Sequence, residues 1–284
     1  MPALSRWHRP PGGDAWIMGV LNCTPDSFSD GGQYLDTDAA VAHGLSLREA
    51  GARLIDVGGE STRPGAGAVS LEEELSRVIP VVRALADAGC RVSVDTTKAA
   101  VMRVACEAGA VMINDVTALG GDADALAVAA ETGVDVCLMH MRGTPRTMQE
   151  HPHYDDVVVE VRDFLARRLE ACLAAGIRED AIVLDPGIGF GKRLEDNLAL
   201  IAHLPVFRQA FGLPLMLGVS RKSFLGALTG AGVGDREIET AAAVGIGVFS
   251  GADILRVHDV VLQRRAVRVA SALREALSRG GPGD

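Results

Sequence analysis

The chain has 284 residues, of which 48% are hydrophobic and 23% are charged. This composition is typical of an ordered globular protein and excludes a disordered chain, and the length suits two small domains or one barrel. A net charge of -9 and a pI near 5.3 argue against nucleic acid as the main partner, because phosphate backbones are bound by clustered Lys and Arg. Any anion-binding site must therefore be built from local basic residues.

The cysteines and the apolar runs indicate the compartment. The cysteines are odd in number and form no C-x-x-C pair, which favours reduced thiols that fill the core over disulfides or a zinc site. They are Cys23, Cys90, Cys106, Cys137 and Cys172. The N-terminus lacks an apolar stretch of signal-peptide length, and no later stretch runs to 18 apolar residues. We therefore expect a cytoplasmic protein that does not bind membranes.

Eight short runs rich in Val, Ile, Leu or Met recur along the chain. They are continuous rather than alternating, as expected for strands that are buried on both faces of a parallel sheet. They lie at 16–22, 54–59, 91–96, 111–116, 135–140, 181–186, 215–220 and 254–258.

Segments with helical patterns separate these runs. Ser70 and Glu73 form an S-x-x-E capping box ahead of an apolar stripe, and Gly89 is expected to end that helix. A second stripe runs from Val157 to Cys172 and ends at Gly176, and helical composition also covers 260–277.

Eight strand–helix units in one chain predict a (β/α)8 TIM barrel. A doubly wound sheet is the alternative, but it would usually have fewer strands and a glycine-rich fingerprint at its switch point. We expect a single barrel domain over 15–278, an N-terminal extension at 1–14 that is flexible, and a flexible C-terminal tail at 279–284. The active site of such a barrel lies at the carboxyl ends of its strands.

Polar residues are concentrated at these strand ends. A single Asp after a strand often only caps a turn, but here all eight ends carry polar side chains. Lysine usage adds a second clue, since 25 of the 28 basic residues are Arg and only Lys98, Lys192 and Lys222 are Lys. A compact ammonium is retained where a forked guanidinium does not fit, and Lys222 is the strongest candidate for such a role. For Lys98, the start of a helix is the favoured reading, and for Lys192 a loop charge.

Seven motifs at the strand ends resemble those of the dihydropteroate synthases, and the resemblance covers nearly the whole chain. The motifs are N-x-T-P-D-S-F from Asn22, G-G-E-S-T-R-P-G from Gly58, S-V-D-T from Ser93, I-N-D-V from Ile113, M-H-M-R-G-T-P from Met139, L-D-P-G-I-G-F-x-K from Leu184 and S-R-K-x-F from Ser220. The resemblance implies a transferase of folate biosynthesis, a target of sulfonamides, that joins 6-hydroxymethyl-7,8-dihydropterin diphosphate to 4-aminobenzoate.

The resemblance implies a pterin bound deep in the barrel. Asp185 would accept hydrogens from the 2-amino group and N3, and Asp95 and Asn114 would complete that edge. Lys222 would donate to the pterin carbonyl and N5. The expected pocket walls are Val116, Met139, Gly189 and Phe190. Of these, Val116 and Met139 could equally be plain barrel core.

The diphosphate is expected at the last strand. Arg256 and His258, at alternate positions, would grip it together, with Val257 between them and Thr62 also contacting this substrate. Asn22 would hold a Mg²⁺ ion that bridges the diphosphate, since this ion takes few protein ligands. The plainer readings are a loop cap for Asn22 and a neutral core histidine for His258.

The resemblance places 4-aminobenzoate under two loops. Thr62, Arg63 and Pro64 would close over it from one side, and Phe190, Ser220 and Arg221 would contact it from the other. Because its amine is a poor nucleophile, we expect the diphosphate to leave first. Catalysis would then depend on neutralising the departing charge and excluding water. The resemblance also implies a homodimer formed through the outer helices of the later strands.

Two other functions are the alternatives. A pterin-binding methyltransferase passes a methyl group from a folate to a corrinoid protein and has no use for a diphosphate grip. The motifs S-R-K at 220–222, R-V-H-D at 256–259 and T-P-D-S-F at 24–28 therefore favour the synthase. A noncatalytic pterin- or phosphate-binding protein is the second, and 187–192 resembles a nucleotide loop. The motif G-x-x-x-x-G-K-[ST] is not met, however, because position 186 is Pro and position 193 is Arg.

Overall fold

The computed structural model describes residues 6–10, 12–24, 33–62, 65–232 and 234–279. Within these ranges the chain alternates between strands and helices. The strands are β1 (Trp16–Asn22), β2 (Leu54–Gly58), β3 (Val92–Asp95), β4 (Met112–Asp115), β5 (Asp135–Met139), β6 (Ile182–Asp185), β7 (Met216–Leu217) and β8 (Ile254–Val257). The helices are α1 (Gln33–Ala50), α2 (Leu71–Asp87), α3 (Ala99–Glu107), α4 (Ala125–Thr132), α5 (Val157–Ala174), α6 (Leu194–Ala202), α7 (Leu204–Phe211), α8 (Ser223–Thr229), α9 (Glu237–Ser250) and α10 (Val260–Arg279).

The strands form one sheet that curls into a barrel. Their order is β6-β5-β4-β3-β2-β1-β8-β7, and every pairing between them is parallel. A parallel bridge between Leu184 of β6 and Leu215, beside β7, brings the two ends of the sheet together. The predicted TIM barrel is therefore confirmed. All eight carboxyl ends open at one mouth, because the strands are parallel.

The core has two parts. The larger part lies between the sheet and the surrounding helices, and the smaller part fills the interior of the barrel. The interior part contains Trp7, Met18, Leu54, Met112, Cys137, Val183, Met216 and Ile254. These inward side chains form an apolar floor beneath the mouth. The five cysteines are free thiols, as the sequence predicted.

Trp7 closes the end of the barrel at which the strands begin. Its side chain is only 1% exposed and belongs to the interior cluster. Its indole Nε1 and the Nε of Arg6 both donate to Asp135, at the start of β5. A flexible extension over all of 1–14 is therefore wrong for Trp7, because burial and a hydrogen bond hold it in place. The domain boundaries themselves stay a prediction, and 280–284 lie outside the described residues.

Two local predictions need correction. Ser70 caps α2 by accepting from the Glu73 amide at 3.2 Å, but the Glu73 side chain binds Arg77 one turn later instead of completing the capping box. β7 has two residues where 215–220 was predicted. The chain leaves the sheet at Gly218 and turns, with the Lys222 amide donating to the Val219 carbonyl at 3.3 Å. This turn places Ser220 and Lys222 at the mouth.

Among the described residues, no helix has the length and apolar character needed to cross a membrane.

Candidate active site

A polar network covers the apolar floor on one side of the mouth. Arg256 of β8 donates from Nε to Asp56 of β2 at 2.6 Å and from Nη2 to Asp95 of β3 at 2.7 Å. Asn114 of β4 donates from Nδ2 to the same Asp56 oxygen at 3.0 Å. Asp56, Asp95 and Asn114 are buried. Strand register makes this possible, because Asp95 and Asn114 are paired neighbours in the sheet.

Asp185 lies across the barrel at the end of β6. It is buried, and its Oδ1 accepts from the amide of Gly187 at 2.7 Å. Met139, the neighbour of Asp185 on β5, is also buried. Asp185 and Asp95 therefore place carboxylates on two sides of the same mouth.

Burial shifts the proton affinities of these groups. It raises the pKa of Asp95 to about 7, against the pull of Arg256 and with a further increase from Asp56. It also raises the pKa of Asp185, against the opposing charge of Lys222. Burial lowers the pKa of Lys222 to about 8, although Asp185 favours the ammonium. For Arg256, the attraction of Asp56 and Asp95 outweighs burial, so its pKa is raised and it stays charged.

Lys222 lies beside the loop that follows β6. Its Nζ donates to the carbonyl of Ile188 and sits 4.5 Å from the centre of the Phe190 ring. A Cβ on Gly189 would lie 3.0 Å from the Lys222 side chain, at a φ of 84° that only glycine adopts readily. Lys222, predicted to donate to the pterin, therefore lies against Gly189 and Phe190, two of the predicted wall residues.

The loop at 186–192 is hydrogen-bonded along its backbone by side chains. Four successive carbonyls, from Ile188 to Gly191, each accept from a different side chain. The donors are Lys222, Gln149, Lys192 and Tyr154 in that order. The loop also passes so close to His140 that a Cβ on Gly187 would lie 1.9 Å from its carbonyl oxygen. Glycine at this position is required by that approach.

Lys192 is a correction to the sequence reading. It is not a loop charge, since it is only 3% exposed. Its Nζ lies 2.9 Å from His140 Nδ1, 3.3 Å from the His140 carbonyl and 3.0 Å from that of Phe190. Burial lowers the pKa of Lys192 well below its usual value and, with the help of Lys192, lowers the pKa of His140 to about 2. His140 is therefore neutral and can accept from the amine.

The ends of β1, β7 and β8 carry four more predicted residues. His258 Nδ1 lies 3.0 Å from Ser220 Oγ, which also accepts from the His258 amide, so residues predicted for different substrates touch. Arg221 is exposed, has a φ of 60° and pairs with Glu237 of α9. Asn22 ends β1 and is half-buried.

Val257 does not face the mouth. Its side chain is buried in the core between sheet and helices, because neighbours on a strand point to opposite faces. A substrate contact at Val257 would therefore be made by its backbone, and this contact stays a prediction. Arg63 and Pro64 lie outside the described residues.

A cavity of about 580 Å³ opens beside the Asp95 edge. Three predicted residues, Thr62, Asp95 and Val116, line it. Sequence reasoning missed other lining residues, among them Thr117, Phe164 and Arg168. It also missed Asp56 and Glu74. For Asp56 a signal existed, since a carboxylate within an otherwise apolar strand must have an interior partner.

Comparison with known proteins agrees with this geometry. The model of the pterin binding enzyme family matches residues 18–258. A dihydropteroate synthase of Escherichia coli (strain K12) is 50% identical over 261 residues, which are 92% of this chain and 92% of that protein.

Solved structures are similar over nearly the whole chain. The Yersinia pestis dihydropteroate synthase with a sulfonamide drug complex has a TM-score of 0.88 and 46% identity, covering 97% of this chain and 100% of that one. The Xanthomonas albilineans enzyme with 4-aminobenzoic acid has a TM-score of 0.86 and 49% identity over 93% and 94%. The same enzyme in complex with 7,8-dihydropteroate has a TM-score of 0.82 and 45% identity over 93% and 95%. With a family match over most of its length and a relative of 50% identity, the chain belongs to the dihydropteroate synthase family of pterin-binding transferases.

Proposed function

We propose that the chain condenses 6-hydroxymethyl-7,8-dihydropterin diphosphate with 4-aminobenzoate to give 7,8-dihydropteroate and diphosphate. One observation carries the proposal. Two buried carboxylates, Asp95 and Asp185, and a lysine of lowered pKa, Lys222, lie at one barrel mouth. This set of acceptors and one donor complements the pyrimidine edge and the carbonyl of a pterin. The X. albilineans relative has been solved in complex with 7,8-dihydropteroate, which is the product of the reaction proposed here. That complex supports the same pair of substrates for this chain.

In the proposed reaction, the bond between the pterin methylene carbon and the diphosphate oxygen breaks first. The amine nitrogen then bonds to this carbon and loses a proton to solvent or diphosphate. Asp185, Asp95 and Asn114 orient the pterin, and Lys222 donates to its carbonyl and N5. His258, next to Ser220, faces the departing diphosphate, and no general base is required.

Arg256 would serve the diphosphate only after a change of partners. Its Nη2 now binds Asp95, which the pterin edge also requires. Binding of the pterin to Asp95 would release Nη2 toward the diphosphate, while Nε stays on Asp56. Asp95 would then contact the pterin while Arg256 contacts the diphosphate of the same substrate.

We further propose Mg²⁺ as the cofactor, with Asn22 as a protein ligand. Asn22 is half-buried at the end of β1 and offers one amide oxygen, which suits an ion that keeps several waters and binds substrate phosphates. Among the described residues, no group of three or more His, Cys, Asp or Glu side chains could hold a metal by itself. Bound Mg²⁺ would neutralise charge on the leaving diphosphate.

One assay tests the proposed function. Purified protein is given pterin diphosphate, 4-aminobenzoate and Mg²⁺, and product is measured together with consumption of both substrates. We expect 7,8-dihydropteroate and diphosphate in equal amounts. A methyltransferase would consume neither substrate, and a noncatalytic binding protein would bind the pterin diphosphate without turning it over. Either outcome would contradict the proposal.

A further inference from the structure

Asp56 occupies an unusual position for a carboxylate. It lies in the middle of β2, fully buried inside the barrel, and it is paired in register with Ser93 of β3. A single oxygen, Oδ2, accepts both the Nε of Arg256 at 2.6 Å and the Nδ2 of Asn114 at 3.0 Å. Asp56 therefore joins a cation and an amide at the base of the barrel mouth.

The contact with Asp56 fixes which end of the Asn114 amide is occupied. A side-chain amide has a donor end and an acceptor end, and Asp56 engages the donor end. The acceptor, Oδ1, is buried and has no hydrogen-bond partner among the described residues. A buried carbonyl oxygen without a partner is costly, so its presence indicates a site that is completed by a donor from outside the chain.

This arrangement determines which end of the Asn114 amide faces a ligand. If the Asn114 amide were free to rotate, it could present either end to a ligand. While Asp56 accepts one hydrogen of Nδ2, the amide is held against a flip, and Oδ1 is the acceptor that Asn114 presents to a ligand. A pterin held by Asp185 through N3 and one hydrogen of its 2-amino group keeps the second hydrogen of that group for another acceptor.

We infer that Asp56 is a positioning residue for ligand recognition: it turns the carbonyl oxygen of Asn114 toward the second hydrogen of the pterin 2-amino group. The inference rests on the proposed function. This role of Asp56 runs through its Oδ2, while its own Oδ1 is also buried without a hydrogen-bond partner among the described residues. Asp56 acts through Asn114, and at the same time it keeps the Nε of Arg256 in place when Asp95 exchanges Arg256 for the pterin.

A purely structural role is the competing explanation. Asp56 could merely neutralise the charge of Arg256 or support the packing of the barrel. The variant Asp56→Asn separates charge from orientation. A guanidinium only donates, so the oxygen of the introduced amide must face Arg256, where it can still accept from Asn114. Asp56→Ala removes the acceptor altogether.

The test measures the affinity of wild type, Asp56→Asn and Asp56→Ala for 6-carboxypterin and for its analogue lacking the 2-amino group. The ratio of the two dissociation constants reports how strongly the protein senses that group. The contribution of Asp185 is common to all three proteins and cancels. In Asp56→Ala, the preference for the amino ligand should fall about fivefold, as for the loss of one neutral hydrogen bond. In Asp56→Asn it should stay within about twofold of wild type.

Other results would overturn the inference. An unchanged ratio in Asp56→Ala, even with weaker binding of both ligands, would show a structural role only. Loss of the preference in Asp56→Asn would show that charge rather than orientation matters. If Asp56→Ala does not fold, Asp56→Val, which is closer to Asp in volume, takes its place. Failure of the proposed function is distinguishable, since wild type would then form no 7,8-dihydropteroate in the assay above.

Discussion

At the scale of single residues, Asp185 offers the most direct test of the pterin edge. Its carboxylate has two oxygens, and Oδ1 already accepts from the Gly187 amide. Asp185→Asn should keep the fold but weaken pterin binding at least about tenfold, because a charge-assisted hydrogen bond is worth roughly 1.5 to 3 kcal/mol. Calorimetry with a pterin analogue measures the effect. Unchanged affinity would remove Asp185 from the site.

Lys222 tests whether a compact ammonium is required. Its Nζ fits between the Ile188 carbonyl and the face of Phe190. Lys222→Arg should therefore fail to support turnover even though the charge is kept, because a planar fork is wider than an ammonium. The measurement is the kcat of the purified variant. Near-normal kcat would refute the assigned role.

The pKa of Lys222 adds a pH test. Because this pKa is lowered to about 8, the free enzyme carries the ammonium below pH 8 and a neutral amine above it. Pterin affinity should fall as the pH rises through about 8, since the neutral amine loses the charge that strengthens its hydrogen bonds. In Lys222→Met this step should disappear. A step of the same size in the variant would assign it to another group.

Lys222 and Lys192 show which residue roles could be predicted from the sequence. Composition and motif identified Lys222 at the site, and its contacts agree. They could not identify Lys192 as buried, because its burial depends on Gly187 and Gly191 bringing the loop onto His140 and Arg142. Asp56 was missed for a similar reason. Its partners Arg256 and Asn114 are distant in sequence and meet it only in the closed barrel.

At the scale of elements, Lys98 joins the two ends of the loop between β2 and α2. It pairs with Glu60, near the start of this loop, and with Glu74 in the first turn of α2. Glu74 is fully buried and its other oxygen accepts from Thr96 at 2.6 Å. Lys98→Met should lower the free energy of unfolding by about 2 to 4 kcal/mol, because it leaves the buried carboxylate of Glu74 without a counter-ion.

Chemical denaturation measures this loss, and two variants serve as controls. Arg103 and Glu131 form an exposed pair, so Arg103→Met should cost at most about 1 kcal/mol. Adding Glu74→Gln to Lys98→Met should recover part of the loss, since a neutral amide needs no counter-ion. Equal effects of Lys98→Met and Arg103→Met would show that Glu74 does not depend on Lys98.

Elements were predictable where a local pattern determines them. The eight apolar runs became the eight strands, and the stripe of α5 buries Val157, Val161, Leu165 and Cys172 as expected. Asp156 caps that helix through the amides of Val158 and Val159. The length of β7 was not predictable, because Val219 continues its apolar character beyond Gly218. The turn that ends it depends on a positive φ at Arg221, a conformation that the residue type does not indicate.

At the scale of the whole molecule, an apolar groove of about 740 Å³ lies between α9 and α10. Phe249 and Val269, which line it, are 45% and 63% exposed. An apolar surface of this kind suits a protein interface, and we propose the expected homodimer there. Val269→Asp should yield a monomer in light scattering, whereas Val159→Asp on α5 should keep twice the chain mass. A wild-type monomer, or a dimeric Val269→Asp, would contradict this interface.

The order of substrate binding follows from where the contacts lie. The pterin and diphosphate residues sit on strand ends that the Asp56–Arg256–Asp95 network already holds together. The residues expected to contact 4-aminobenzoate lie partly on 61–67, which follows β2, and the neighbouring loop at 24–32 is equally rich in Gly, Pro and Ser. Loops of this composition commonly close on a ligand, and we predict the same for these two, of which 25–32 and 63–64 lie outside the described residues.

Diphosphate with Mg²⁺ at Asn22 is the expected ligand, because Asn22 directly precedes the first loop and the anionic oxygens would accept from that loop and from Arg63 on the second. We therefore expect 4-aminobenzoate to bind poorly to the free enzyme and well after a pterin and diphosphate are in place. The coupling should be about 1 to 3 kcal/mol, as is typical of linked sites. Calorimetric titration of 4-aminobenzoate with and without pterin, diphosphate and Mg²⁺ measures it. Equal affinities would mean that the aminobenzoate pocket exists before the first substrate binds, and that the loops close for another purpose.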